Sequence, residues 1–156
     1  MNITLRKATV EDAGEIHAMQ VLAFRPLLER YQDPETNPGS EGLERVVERL
    51  RQEATDYYLV GQGARTVGAV RVVRMRGGDR CRISPIFILP GFQNQGLAQE
   101  VFSELERLYS PAEGWELATI LEEPRNCHLY EKLGYRKTGT FQKVNDRMTL
   151  VFYEKR

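Results

Sequence analysis

The sequence predicts a mixed α/β fold of about seven strands and about four helices, the strands mostly antiparallel with one central parallel pair. Two observations carry that prediction. Three strand-like runs, Tyr57 to Val60, Thr66 to Arg74 and Arg82 to Leu89, follow one another across the short turns Gly61-Gln62-Gly63 and Gly77-Gly78-Asp79, which is the spacing of an antiparallel meander. An amphipathic helix over Leu97 to Leu108 then stands between two further strand candidates, and a connection of that length joins parallel neighbours.

The other elements follow from local pattern. Ile3 to Ala8 alternates like a half-buried strand, and Thr9 with Asp12 makes a capping box for a helix running through Ala13, Ile16, Met19 and Ala23 to about Phe24. Pro26 is expected to break or kink that helix. Residues 32 to 41 hold two prolines, a glycine and almost nothing to bury, so they read as a loop, either a mobile connection or a lid. Leu43, Val46, Val47, Leu50 and Ala54 mark a second amphipathic helix.

The helix from Leu97 carries its apolar face on Leu97, Val101, Leu105 and Leu108 and is expected to stop at Ser110-Pro111. Trp115 to Leu121 suits a strand covered on both faces, and Asn126 to Leu133 a short helix that Pro124 precedes and Gly134 caps. Thr138 to Val144 and Met148 to Tyr153 close the chain as a hairpin turning at Asn145-Asp146.

Composition narrows the function. At 156 residues and 41% hydrophobic, the chain is expected to be one domain over 1–156. Lys plus Arg equals Asp plus Glu at 22 each, so no net field draws it to nucleic acid or an anionic membrane. The local run Arg71-Val72-Val73-Arg74-Met75-Arg76 reads as the wet face of an antiparallel strand. Cys81 and Cys127 lie far apart with no leader pattern before them, so a reduced cytoplasmic setting is expected, without disulfides. No apolar stretch approaches the ~20 residues that span a bilayer.

Leu89-Pro90-Gly91-Phe92-Gln93-Asn94-Gln95-Gly96-Leu97-Ala98 runs from a strand end through a tight turn into a helix. The first amides of a helix lack intrahelical partners and lie at the positive end of its dipole, so they can hold an anion. Gly96 lets a diphosphate approach, and small Ala98 keeps the helix near its strand. Taken by itself the segment is equally an ordinary strand-to-helix turn.

A second constellation lies in Asn126-Cys127-His128-Leu129-Tyr130-Glu131-Lys132-Leu133-Gly134-Tyr135. Asn126 and Tyr130 are four apart and share a helical face, whereas Cys127 and His128 diverge by about 100 degrees and cannot pair as nucleophile and base. With His17 the only other histidine, no metal centre is expected.

The glycine-capped Tyr-Glu-Lys-Leu-Gly-Tyr string, placed one helix and one strand after a Gln-x-x-Gly-x-Ala turn, resembles the GNAT superfamily of acetyl-CoA-dependent N-acetyltransferases. The element order agrees along essentially the whole chain. The resemblance implies a GNAT-like fold whose central parallel pair splays apart at the cofactor site. It implies that the backbone of Ile86, Phe87 and Ile88, in the run ending at Pro90, holds the pantetheine arm and acetyl group of acetyl-CoA, with an amide near Ile88 facing the developing oxyanion. It further implies that Gln93, Asn94, Gln95, Gly96, Leu97 and Ala98 bind the pyrophosphate and that Tyr130 protonates the departing thiolate. Two positions depart from the pattern: Glu123 stands where many members have asparagine, and Asn126 where they have a small alanine. Asn126 stays a cofactor candidate through its place on the Tyr130 face.

The reaction so implied is direct attack of a primary amine, from a small molecule or a peptide, on the acetyl carbonyl. The incoming amine must lose a proton, and Glu122 and Glu123 at the end of the fifth strand are the candidate bases. Adjacent strand residues face opposite ways, so one of them is expected to enter the cleft, and Glu122 is favoured. Ser84 is a candidate for positioning a water, and Tyr31, Tyr57 and Tyr58 are candidates for the acceptor pocket. The rival reading is a non-catalytic acetyl-CoA-binding regulatory module, which needs the turn but not Tyr130. A different kind of nucleotide-binding domain lacks its glycine-rich string here. A monomer or a homodimer through the last strands is expected.

Overall fold

The computed structural model describes residues 3–75, 79–109 and 112–156. Its strands are β1 (Thr4–Lys7), β2 (Thr55–Gln62), β3 (Arg65–Arg74), β4 (Arg80–Ile88), β5 (Gly114–Ile120), β6 (Arg136–Asn145) and β7 (Met148–Lys155). The helices are α1 (Ala13–Tyr31), α2 (Leu43–Arg51), α3 (Leu97–Leu108) and α4 (Pro124–Lys132). One sheet runs in the order β1-β2-β3-β4-β5-β7-β6. Every neighbouring pair is antiparallel except β4 and β5, which the α3 crossover makes parallel.

Strand alternation sorts the core onto the two faces. Tyr57, Leu59, Ala69 and Phe87 pack with Ala13, Ile16, Met19 and Val46 of α1 and α2. Val60, Val70, Val72, Ile83 and Leu117 pack on the other face with Leu97, Val101, Phe102 and Leu105 of α3. Within β3, Gly68 lies opposite Ile88, and a Cβ there would stand 2.2 Å from the Phe87 carbonyl oxygen. Only glycine lets β3 and β4 approach so closely at this point.

Helix α1 corrects the expected end near Phe24: it is not broken at Pro26 but continues to Tyr31 and ends on Gln32 in the left-handed region, φ 52°. Proline inside a helix costs ~3 kcal/mol. Beyond it, Tyr31 is buried against Ile120 and Met148, with Leu27, Val144 and Leu150 packed around them. Burying Tyr31 and part of Leu27, on the order of 1–3 kcal/mol each, offsets that cost. Asn145 on β6 adds a hydrogen bond to the Tyr31 carbonyl at 2.8 Å. The first turn before α1 is a 3-10 turn, Val10–Asp12, and Asp12 accepts from the Thr9 N–H at 2.8 Å as a capping box requires.

Smaller differences are at the ends of elements. Helix α2 stops at Arg51 rather than Ala54, and β2 takes in Gly61 and Gln62, leaving the turn at residues 63 and 64. The expected stop at Ser110-Pro111 and the turn at Gly77-Gly78 lie outside the described residues. The 32–42 segment is pinned rather than lid-like: buried Gln20 donates to the Pro38 carbonyl at 2.7 Å and to Glu41 at 2.9 Å, and Asn37 caps a 3-10 turn at Pro38–Ser40. Arg71 and Arg74 are not a wet face either, since Arg71 donates to the Ser84 carbonyl and Arg74 pairs with buried Asp56. Burial pulls Arg71 down to about 10. Among the described residues no helix is long and apolar enough to cross a membrane.

Candidate active site

Past Arg82 the two parallel strands part. Strand β4 pairs with β5 only at Arg80↔Gly114, Cys81↔Trp115 and Arg82↔Glu116, while its other edge stays on β3 as far as Ile88↔Gly68. Strand β5 meanwhile follows β7 to Ile120↔Leu150. The edge of β4 that faces β5 over residues 83–88 is thereby left without a ladder partner, and buried amides and carbonyls in that state are open to an extended ligand. A bulge interrupts the β3–β4 register between Val70 and Val72, opposite Ser84 and Pro85. That bulge is where Arg71 meets the Ser84 carbonyl.

The splay opens into a cleft of about 660 Å3 lined by residues of α1, β4, the β4–α3 connection, α3 and α4. Of the residues expected at the cofactor, Ile86, Phe87 and Ile88 line it on the strand, and Gln93, Asn94, Gly96, Leu97 and Ala98 on the turn. Asn126 and Tyr130 line it from α4. Gln95 does not line it.

The turn has the geometry of an anion cradle. Asn94 and Gly96 both hold left-handed backbone, φ 62° and φ 80°, and Gly96 is the N-cap of α3. Amides that alternate in this way converge on a concavity, and the helix dipole adds positive potential there. The Gln93 amide folds back onto the Ile88 carbonyl at 2.8 Å, fastening the turn to the end of β4. Arg125 of α4 donates to the Asn94 side chain at 3.1 Å, which brings a guanidinium to the turn.

Tyr130 is 8% exposed, with Phe102 edge-on to its ring at a centroid distance of 5.6 Å and Tyr135 and Tyr153 beside it. Burial, with a smaller contribution from Cys127, pushes its phenol up to about 12. The hydroxyl therefore stays protonated at neutral pH, and the residue lines the cleft.

The two glutamates lie beyond β5, which ends at Ile120, so strand alternation does not place them: Glu122 is in a turn and Glu123 is the N-cap of α4. Glu123 lines the cleft, where it accepts from the Tyr31 hydroxyl at 2.5 Å and from Arg30 at 2.6 Å. Glu122 lies outside the lining, and its carboxylate accepts from the Thr149 N–H at 2.9 Å. None of the three tyrosines expected at an acceptor pocket lines the cleft. Tyr31 reaches it through Glu123, Tyr57 is buried beside Gln20, and Tyr58 shares a 2.8 Å hydrogen bond with Tyr109. Cys127 is buried and His128 exposed, as their divergence on the helix requires.

Sequence reasoning missed Arg125 and the α1 wall of the cleft, Ala23, Phe24, Leu27 and Arg30. A signal for that wall was present: Ile16, Met19, Ala23, Leu27 and Tyr31 keep one helical stripe straight through Pro26.

The acetyltransferase (GNAT) domain family matches residues 31–156. The chain belongs to the GNAT acetyltransferase family. Solved structures share the fold of this acetyltransferase at low identity. An acetyltransferase from Thermus thermophilus superposes with TM-score 0.75 at 18% identity, covering 99% of this chain and 97% of that one. The ribosomal-protein-S18-alanine N-acetyltransferase from Escherichia coli gives 0.78 at 14% identity, covering 99% and 93%. A spermidine N-acetyltransferase from Vibrio cholerae, in complex with CoA and spermine, gives 0.76 at 19% identity, covering 97% and 94%. No curated protein sequence matches this acetyltransferase.

Proposed function

We propose that this enzyme transfers the acetyl group of acetyl-CoA to a primary amine of a small molecule or peptide by direct attack. The observation that carries the reading is the convergence, in one cleft, of the unpaired end of β4, the left-handed turn before α3 and the buried Tyr130. Two structural neighbours named for amine acceptors, spermidine and an S18 alanine, support an amine here.

Acetyl-CoA supplies an acetyl group activated as a thioester. The cleft suits it: free backbone groups on β4 match an extended amide-bearing arm, and a turn without a Cβ at Gly96 admits a diphosphate. The backbone of Ile86, Phe87 and Ile88 orients the arm, and an amide near Ile88 donates to the carbonyl oxygen as negative charge develops on it. Asn94, Gly96 and the first amides of α3 hold the diphosphate, with Arg125 adding a positive charge beside Asn94.

Glu123 takes a proton from the incoming ammonium, directly or through water, because it lines the cleft while Glu122 lies outside it. The C–N bond then forms as the C–S bond breaks, the cationic nitrogen so formed gives its second proton to water, and Tyr130 gives its proton to the departing thiolate. A thiol holds its proton less tightly than a phenol at about 12, so the transfer follows the rise of charge on sulfur and Tyr130 is reprotonated from solvent.

A thermal-shift titration with acetyl-CoA, followed by a free-thiol release assay over a panel of amines, tests the reading. Stabilisation by acetyl-CoA and amine-dependent thiol release are expected; neither appearing would overturn it.

A further inference from the structure

The walls of the cleft differ in chemistry. The wall at the β4–α3 connection presents backbone amides, with Arg125 beside them. The α1 wall is made of Ala23, Phe24, Pro26 and Leu27, with Phe24 edge-on to Phe87 at a centroid distance of 5.8 Å. The carboxylate lining the cleft, Glu123, is already met by Arg30 and the Tyr31 hydroxyl. Among the described residues, two arginines thus face one glutamate around the cleft. A chain carrying several ammonium groups finds no free carboxylate among them for its second charge, and desolvating that charge against an aliphatic wall is costly.

We infer that the acceptor is a primary amine on an apolar or aromatic body with no second positive charge, rather than a polyamine. This rests on the acetyl-transfer reading above and adds the class of amine. The apolar body lies along Phe24 and Leu27 while its amino group reaches toward Glu123. The chemistry differs from that named for the spermidine enzyme of similar fold, and the difference comes from side chains that a shared fold does not determine.

The test compares initial rates of thiol release from acetyl-CoA with 2-phenylethylamine and with spermidine at one pH. The expected kcat/KM for 2-phenylethylamine is higher by at least about tenfold, the discrimination an apolar pocket gives. Leu27→Asp should lower the 2-phenylethylamine value by a similar factor. Arg30→Gln, at an exposed position where folding is not at stake, should raise the spermidine value by releasing Glu123. Calorimetric titration of each protein with acetyl-CoA accompanies the rates. Normal acetyl-CoA binding with spermidine preferred, or with no acceleration by 2-phenylethylamine, overturns the acceptor assignment alone. Absence of saturable acetyl-CoA binding overturns the reading beneath it.

Discussion

The Tyr31 hydroxyl donates to the Glu123 carboxylate across 2.5 Å, and this bond joins the last residue of α1 to the residue that caps α4. It closes the α1 side of the cleft against the end of β5. Burial first, and the bond to Glu123 after it, raise the Tyr31 phenol, so it remains a donor at neutral pH.

Tyr31→Phe removes that donor while keeping the ring packed on Ile120 and Met148. The expected loss of stability is about 1 kcal/mol, read from urea unfolding, since Arg30 still partners Glu123. In steady-state kinetics KM for the amine should rise, with the Kd for acetyl-CoA unchanged.

Tyr130→Phe keeps the aromatic contacts with Phe102, Tyr135 and Tyr153 and deletes only the proton donor. The expected fall in kcat is roughly 100-fold or more, with acetyl-CoA affinity within about twofold of the original. Full kcat in this variant would remove Tyr130 from the chemistry.

Much of this site is legible in the amino-acid sequence. The Gln93 to Ala98 turn and the helix bearing Tyr130 are contiguous strings whose spacing encodes their geometry, and the crossover length of α3 dictates the parallel pair. The run of α1 past Pro26 is not legible from the proline alone, because its compensation comes from Ile120 and Met148, about ninety or more residues downstream. Which of Glu122 and Glu123 lines the cleft is not legible for a related reason. Strand alternation stops with β5 at Ile120, and the outcome depends on where β7 places the Thr149 N–H and where α1 places Tyr31.

Gly96→Ala puts a Cβ on left-handed backbone, at a cost of roughly 1–2 kcal/mol, and a methyl into the turn. Calorimetry should show acetyl-CoA binding at least about tenfold weaker, a loss of ~1.4 kcal/mol.

Gly68→Ala acts at a distance from the turn. Its Cβ meets the Phe87 carbonyl oxygen at 2.2 Å, so β4 must move at the residues that line the cleft. The expected destabilisation is about 1–3 kcal/mol, visible as a lower Tm, with weaker acetyl-CoA binding alongside.

Alkaline pH should unfold the protein in a defined window. Burial raises Tyr57 and Tyr130 to about 12, above the ~10 of an unfolded tyrosine. A raised folded-state pKa gives stability that is complete below pH ~10 and is lost as pH climbs toward 12. Tyrosinate absorbance at 295 nm should therefore show these two rings silent through pH 10, with their ionisation accompanying loss of the folded circular-dichroism signal.

Calorimetric titration of the unmodified protein with acetyl-CoA bears on everything argued from the splayed strand and the glycine turn. Saturable binding at micromolar concentrations, one site per chain, is the expected result. No heat and no saturation at millimolar acetyl-CoA would contradict it.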